Sequence, residues 1–236
     1  MVHSKFFIVF ITFFVFQCSQ IQCSQKMDHN NIDKLNNFLA LGDSYTIGQS
    51  VLTDERWPVQ LVAEMREAVY SIEDAEIIAQ TGWTTFELQN AIESANPVGP
   101  YAMVSLLIGV NNQYRGLSIT DYRQEFQQLL QKAIAFADNK PQNVIVLSIP
   151  DWGVTPFAAN RDRTKIADEI DAFNAVNYDE SQKNGVRYID ITAISRQAEK
   201  EPSLIASDGL HPSAKMYAAW VEIVLPVANE LYQQIK

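Results

Sequence analysis

Thiols are almost missing from this chain of 236 residues: its two cysteines, Cys18 and Cys23, both fall near the start. Beyond them no thiol is available for nucleophilic catalysis, metal binding or a disulfide. Histidine is nearly as scarce. Of the three present, His3 falls in a leader-like start and His29 in a polar stretch, which leaves His211 as the single imidazole of the globular part. Clustered cations are lacking as well. Lys and Arg number 18 against 28 Asp and Glu, for a formal charge of −10, and no basic run appears. Nucleic acid or an anionic membrane surface would be repelled on average, so neutral or zwitterionic partners fit better. Internal repeats, low-complexity blocks and long Pro/Gly linkers are absent too, and residues 36–236 read as one domain.

The first residues have a different composition. Met1-Val2-His3-Ser4-Lys5 is short and basic, and the apolar stretch Phe6 to Phe16 that follows has no polar face and is too short to span a bilayer as a helix. The pattern predicts an export signal over residues 1–23. Cys18, in Val15-Phe16-Gln17-Cys18-Ser19, resembles the lipidated cysteine of bacterial lipoprotein signals, although Gln17 departs from the small residue usual before it. Cys23 is a second candidate, and cleavage near it with release of a soluble protein is the alternative. The expectation is an exported protein, periplasmic, membrane-anchored through Cys18 or secreted. Residues 24–35 are polar and read as a tether.

From Asn37 onward, short apolar runs alternate with segments of helical period. The runs are Phe38 to Leu41, Glu76 to Ala79, Ala102 to Ile108, Asn143 to Ile149 and Val186 to Ile191, and they read as five strands. Such alternation predicts an α/β fold, with a mostly parallel sheet covered on both faces. The clearest helix follows Thr120, read as its N-cap, with Phe126, Leu129, Leu130, Ala133, Ile134 and Ala137 in one stripe that ends before Pro141. Pro58, Val62, Met65 and Val69 have the same spacing. So do Tyr217, Trp220, Val221, Val224 and Leu231 after Ser213, whose aromatics read as core.

In an open parallel sheet, reactive groups gather where strands end and helices begin. Ser44 follows the first run, Gly82 the second, Asn111 the third and Asp151-Trp152-Gly153 the fourth. A serine hydroxyl is a weak nucleophile at neutral pH and needs a base, and His211 is the one imidazole on offer. Asp208 precedes it by three residues, a spacing at which a turn brings a carboxylate to Nδ1. The N–H groups of Ser44 and Gly82 and the amide of Asn111 make a donor set for an oxyanion. Taken singly, each signal also has an ordinary explanation as loop chemistry.

Together the segments resemble the blocks of the SGNH hydrolases, or GDSL esterase/lipase family, in order from Phe38 to Pro212. Gly42-Asp43-Ser44-Tyr45-Thr46 with Gly48 resembles the first block, Gly82 the isolated glycine, Gly109-Val110-Asn111 the Gly-x-Asn-Asp block, and Asp208-Gly209-Leu210-His211 the Asp-x-x-His block. The resemblance implies a flavodoxin-like three-layer α/β/α sandwich. It also implies Ser44 as nucleophile, His211 as base, Asp208 as its orienter, and Ser44, Gly82 and Asn111 as the oxyanion hole, with no metal or cofactor. Two positions depart from the family. Tyr45 replaces a common leucine and alters packing, and Asn112 replaces an aspartate and exchanges one acceptor for a donor.

The expected activity is carboxylic ester hydrolysis through an acyl-enzyme, on lysophospholipids or short acyl esters. Carbohydrate acetylesters and thioesters are alternatives, as is a catalytically silent carbohydrate-binding or assembly protein. A flavin binder is disfavoured because Gly42 to Gly48 lacks the Gly-x-Gly-x-x-Gly spacing. Tyr114, Trp152 and Phe157 are candidate substrate contacts for an acyl chain or a sugar ring, with loop packing as the alternative. Arg115 is either a head-group contact or a surface salt bridge.

Overall fold

A computed structural model of the chain describes residues 36–68 and 70–235, together with Met1. The export signal expected over 1–23, its Cys18 and Cys23, and the tether expected over 24–35 fall, Met1 apart, outside these residues, as does Val69. In chain order the elements are β1 (Phe38–Gly42), α1 (Ser44–Ile47), α2 (Trp57–Glu67), β2 (Ala75–Ala79), α3 (Thr85–Ala95), β3 (Met103–Leu107), α4 (Val110–Tyr114), α5 (Ile119–Phe136), β4 (Val144–Leu147), α6 (Arg163–Lys183), β5 (Arg187–Ile189), α7 (Thr192–Arg196) and α8 (Ala214–Ile235).

The five strands form one sheet in the order β2-β1-β3-β4-β5, every pair parallel. This is the flavodoxin-like order expected above, with helices on both sides. The central strands β1, β3 and β4 are buried along their whole length, which is why they read as unbroken apolar runs without alternation. β2 and β5 lie at the edges and keep partly exposed positions. On the helices, α2 packs on α8, while α3, α5 and α6 pack in series. Tyr217 and Trp220 are fully buried, as their spacing predicts, and Trp57 is fully buried beside Pro58. Among the described residues no helix is long and apolar enough to cross a membrane.

One boundary differs from expectation. α5 begins at Ile119 with Ser118 as its cap, whose hydroxyl accepts from the Asp121 N–H at 3.3 Å, and Thr120 lies inside the first turn. Ser118 is the last residue with extended backbone, and only a residue outside the helix can turn its oxygen back onto the free N–H groups of the first turn.

The strand order sets where a site can form. After β1 the chain moves to one side to make β2, then crosses back to make β3 on the other side, so the loops leaving β1 and β3 diverge and open a crevice. Register levels its rim. Gly42 pairs with Ala79 of β2 and with Leu107 of β3, so the segments starting at Asp43, Gln80 and Ile108 leave the sheet side by side.

Candidate active site

Ser44 owes its position to two preceding residues. At Gly42 an added Cβ would lie 2.2 Å from Thr46 Oγ1 and 2.5 Å from the Leu107 carbonyl oxygen, so only glycine lets the chain turn out of the sheet this tightly. Asp43 then caps α1, its Oδ1 accepting from the Tyr45 N–H at 3.0 Å. Ser44 opens that short helix and lines a cavity of about 170 Å³ with Gly82, Asn111 and His211. All five predicted triad and oxyanion residues except Asp208 therefore border one space, and Asp208 reaches it through His211.

Asp208 and His211 sit on a loop pinned at its base by the Ile205–Pro212 bridge and by the Ala206 N–H, which donates to the His211 carbonyl at 2.7 Å. Within the loop, Asp208 Oδ1 accepts from the N–H groups of Leu210 (2.9 Å) and His211 (3.0 Å). Oδ2 takes His211 Nδ1 at 2.6 Å and the Ser50 hydroxyl at 2.6 Å. Burial alone would raise the Asp208 pKa, but the hydrogen bonds from Ser50, from the His211 ring and from the two backbone N–H groups outweigh it and hold the carboxyl well below its usual range. An ionised carboxylate only accepts, so Nδ1 carries the hydrogen and Nε2 is left with a lone pair for proton exchange. Among the described residues no hydrogen bond joins the Ser44 hydroxyl to the His211 ring; the two meet only as walls of the same cavity. Such contacts often tighten only when substrate is bound.

Asp43 has the opposite surroundings. It is fully buried, and its second oxygen, Oδ2, has no hydrogen-bond partner among the described residues. Burial pushes its pKa up to about 7 against the pull of the Tyr45 N–H. Tyr45 packs its ring edge-on to His211 at 5.7 Å and to Trp220 at 6.4 Å, so the departure from leucine serves as packing beneath the imidazole.

On the opposite lip, Gly82 has φ +88°, a left-handed conformation that side chains resist. Its carbonyl accepts from Arg115 Nη2 at 2.6 Å, and Arg115 Nη1 pairs with Glu87 at 3.2 Å. Arg115 is thus a clamp on the Gly82 peptide as well as a surface ion pair. Asn111 Nδ2 donates to the Trp83 carbonyl at 2.9 Å, which orients the amide and leaves its second N–H unused. Asn112 is buried and uses both ends: Oδ1 accepts from the Thr85 N–H at 3.1 Å, and Nδ2 donates to Thr85 Oγ1 at 2.7 Å. That donation frees the Thr85 hydroxyl hydrogen for Glu125. An aspartate at 112 would instead compete for it, so the exchange of acceptor for donor has a local counterpart.

Tyr114, Trp152 and Phe157 all line the cavity and touch one another, with ring centroids 5.4 to 6.2 Å apart. Tyr114 and Phe157 are about half exposed and Trp152 is buried. Their loop is braced by Asp151, whose Oδ1 accepts from the Gly153 N–H at 2.8 Å and whose Oδ2 accepts from Arg196 at 2.9 Å. Among the described residues no three His, Cys, Asp or Glu side chains cluster as a metal site.

Sequence reasoning missed Ser50, the clamp made by Arg115, and the buried state of Asp43. Ser50 carried no local signal, since its partner lies 158 residues away. The Arg115 contact spans 33 residues. For Asp43 a hint existed, because it follows an unbroken apolar run and precedes a serine that had to face the crevice.

A family model for the GDSL-like lipase/acylhydrolase family matches residues 40–219. No curated protein matches the chain significantly. Among solved structures, TesA is 18% identical with a TM-score of 0.66, the match covering 83% of this chain and 99% of that one. The lipase/acylhydrolase from Enterococcus faecalis is 19% identical with a TM-score of 0.60, over 86% and 98%. An acetylxylan esterase from Geobacillus stearothermophilus is 17% identical with a TM-score of 0.62, over 82% and 94%. At these identities the likeness is one of fold.

Proposed function

The chain belongs to the GDSL-like lipase/acylhydrolase family, and from that membership we propose that it is a serine-dependent hydrolase of carboxylic esters with short acyl groups. The observation that carries this reading is the cavity shared by Ser44, Gly82, Asn111 and His211, with Asp208 on the far side of the imidazole. In the proposed reaction, Ser44 Oγ attacks the acyl carbon as His211 Nε2 takes its proton. The oxygen that becomes negative lies against the N–H groups of Ser44 and Gly82 and the free N–H of Asn111, each such donor contributing roughly 3 kcal/mol in comparable sites. The alkoxide leaves with the proton from His211, water attacks the acyl-serine by the same route, and the acid departs. Asp208 holds the Nδ1 hydrogen and stabilises the imidazolium.

Cavity size supports the short acyl group. About 170 Å³ admits on the order of half a dozen water-sized groups. That lies below the roughly 300–1,000 Å³ of pockets that enclose drug-sized ligands. The test is a series of p-nitrophenyl esters of rising chain length, with lysophosphatidylcholine as the long-chain arm and an organophosphonate as label. Wild type is expected to favour acetyl to butyryl esters and to be labelled on Ser44, with both properties lost in Ser44→Ala. Turnover that survives in Ser44→Ala would reject the assignment.

A further inference from the structure

A second cavity, of about 310 Å³, adjoins the first, and Tyr114 and Trp152 line both. Their chemistry differs. The Ser44 cavity adds mainly apolar residues, Val110, Phe157 and Leu210 beside Thr81, whereas the second adds mainly polar ones, Gln113, Arg161, Asp162, Lys165 and Glu169 beside Ile166. Gln113 ties the shared wall to the polar side: it accepts from Trp152 Nε1 at 2.8 Å and donates to Glu169 at 2.7 Å. Asp162 is committed to capping α6 through the Lys165 N–H at 3.0 Å. Lys165 pairs only loosely with Glu169, at 3.8 Å. The Arg161 side chain lines the cavity and makes no hydrogen bond or ion pair among the described residues, which leaves its five N–H donors without a partner there.

An ester has two halves, and the small apolar cavity that holds Ser44, Gly82 and Asn111 accounts only for the acyl half. We propose that the second cavity receives the leaving alcohol, and that this alcohol is polyhydroxylated, of the sugar class; the proposal rests on the ester-hydrolase reading and specifies its substrate. Two arguments select a polyol over an ion or a hydrocarbon. The lining holds two cations, Arg161 and Lys165, and two carboxylates, Asp162 and Glu169, so it exerts no net pull on a charge. Hydroxyls both donate and accept and can meet the guanidinium and a carboxylate oxygen together, while the half-exposed Tyr114 ring offers apolar surface to the C–H groups of a sugar.

The experiment compares kcat/KM for three acetyl esters: a monoacetylated methyl glucoside, an acetylated glycerol phosphate and p-nitrophenyl acetate, in the full chain and in Arg161→Ala. Arg161 is exposed and has no partner among the described residues, so its removal leaves the core untouched. The expected result is that the glucoside-to-nitrophenyl ratio falls roughly 10-fold or more in Arg161→Ala, as for loss of hydrogen bonds to a charged group. A ratio that does not change, or no turnover of the glucoside by wild type, overturns the subsite while the hydrolase reading stands. A fall confined to the glycerol phosphate ester also overturns it, in favour of an anion site. Hydrolysis of p-nitrophenyl acetate that persists in Ser44→Ala overturns both.

Discussion

Asp43 and Asp208 belong to one site and are pushed in opposite directions by it. Asp43 is fully buried, its Oδ1 accepts from the Tyr45 N–H and its Oδ2 has no partner among the described residues, and burial lifts its pKa to about 7. Asp208 is partly exposed and takes four hydrogen bonds on its two oxygens, from Ser50, the His211 ring and two backbone N–H groups, which keep it ionised far below neutral pH. Depth raises Asp43 and donors lower Asp208, so burial and hydrogen bonding together set the two carboxylates apart. Of the two, only Asp208 suits a partner that must stay negative beside an imidazole. Asp43 shapes the turn that presents Ser44.

The comparison breaks most sharply on turnover. Asp208→Asn is expected to lower kcat by roughly 10³- to 10⁴-fold. Asp43→Asn keeps the oxygen that caps Tyr45 and is expected to stay within roughly tenfold of wild type, the loss expected from a modest shift of the turn, about 1 kcal/mol. Comparable losses in the two variants, measured on one ester, would remove the distinction.

A smaller effect is expected at Ser50, whose φ of +69° suits glycine, so that Ser50→Gly removes a hydrogen bond on Asp208 without backbone strain. Its kcat/KM should fall roughly three- to tenfold. The loss should shrink when Ser50→Gly is combined with Asp208→Asn, because the hydroxyl then has no carboxylate to act through. Losses that simply add in the double variant would show that Ser50 does not act through Asp208.

The third consequence is thermal. Between its ordinary carboxylate range and about pH 7, Asp43 binds a proton more tightly folded than unfolded, so its contribution to stability declines as pH rises across that window and its cost is complete above it. The Tm of Asp43→Asn relative to wild type should therefore improve by a few degrees from pH 5 to pH 8. Asp208 has the opposite sign: its stabilisation is present at neutral pH and is lost only as pH falls through its depressed folded value. The Tm deficit of Asp208→Asn should shrink on strong acidification, read by calorimetry on both variants. Parallel curves would contradict the assigned directions.

Much of this was legible in the chain. The five strands, their parallel sense and the buried aromatics of α8 follow from apolar runs and helical spacing, while the strand order came from the family resemblance. Strand ends moved by a residue or two, and the cap of α5 moved from Thr120 to Ser118, because both residues can cap and the choice depends on where the backbone turns. Ser44 and His211 stood out by scarcity and position. Ser50 and Arg115 did not, because an ordinary loop serine and a surface arginine acquire their tasks only from what the fold sets opposite them.

The sequence by itself determined the alternation of strands and helices and the presence of His211 as the one imidazole among the described residues, since each is a matter of local pattern or of inventory. Tertiary structure alone decided that Gly42 lies level with Ala79 and Leu107, that Ser50 reaches Asp208, and that Tyr114 and Trp152 divide two cavities of unlike polarity. The physical reason is distance along the chain. Propensity and pattern act over a few residues, whereas register, hydrogen bonds between remote loops and the charge state of a buried carboxylate exist only once the sheet has brought those loops to a common rim.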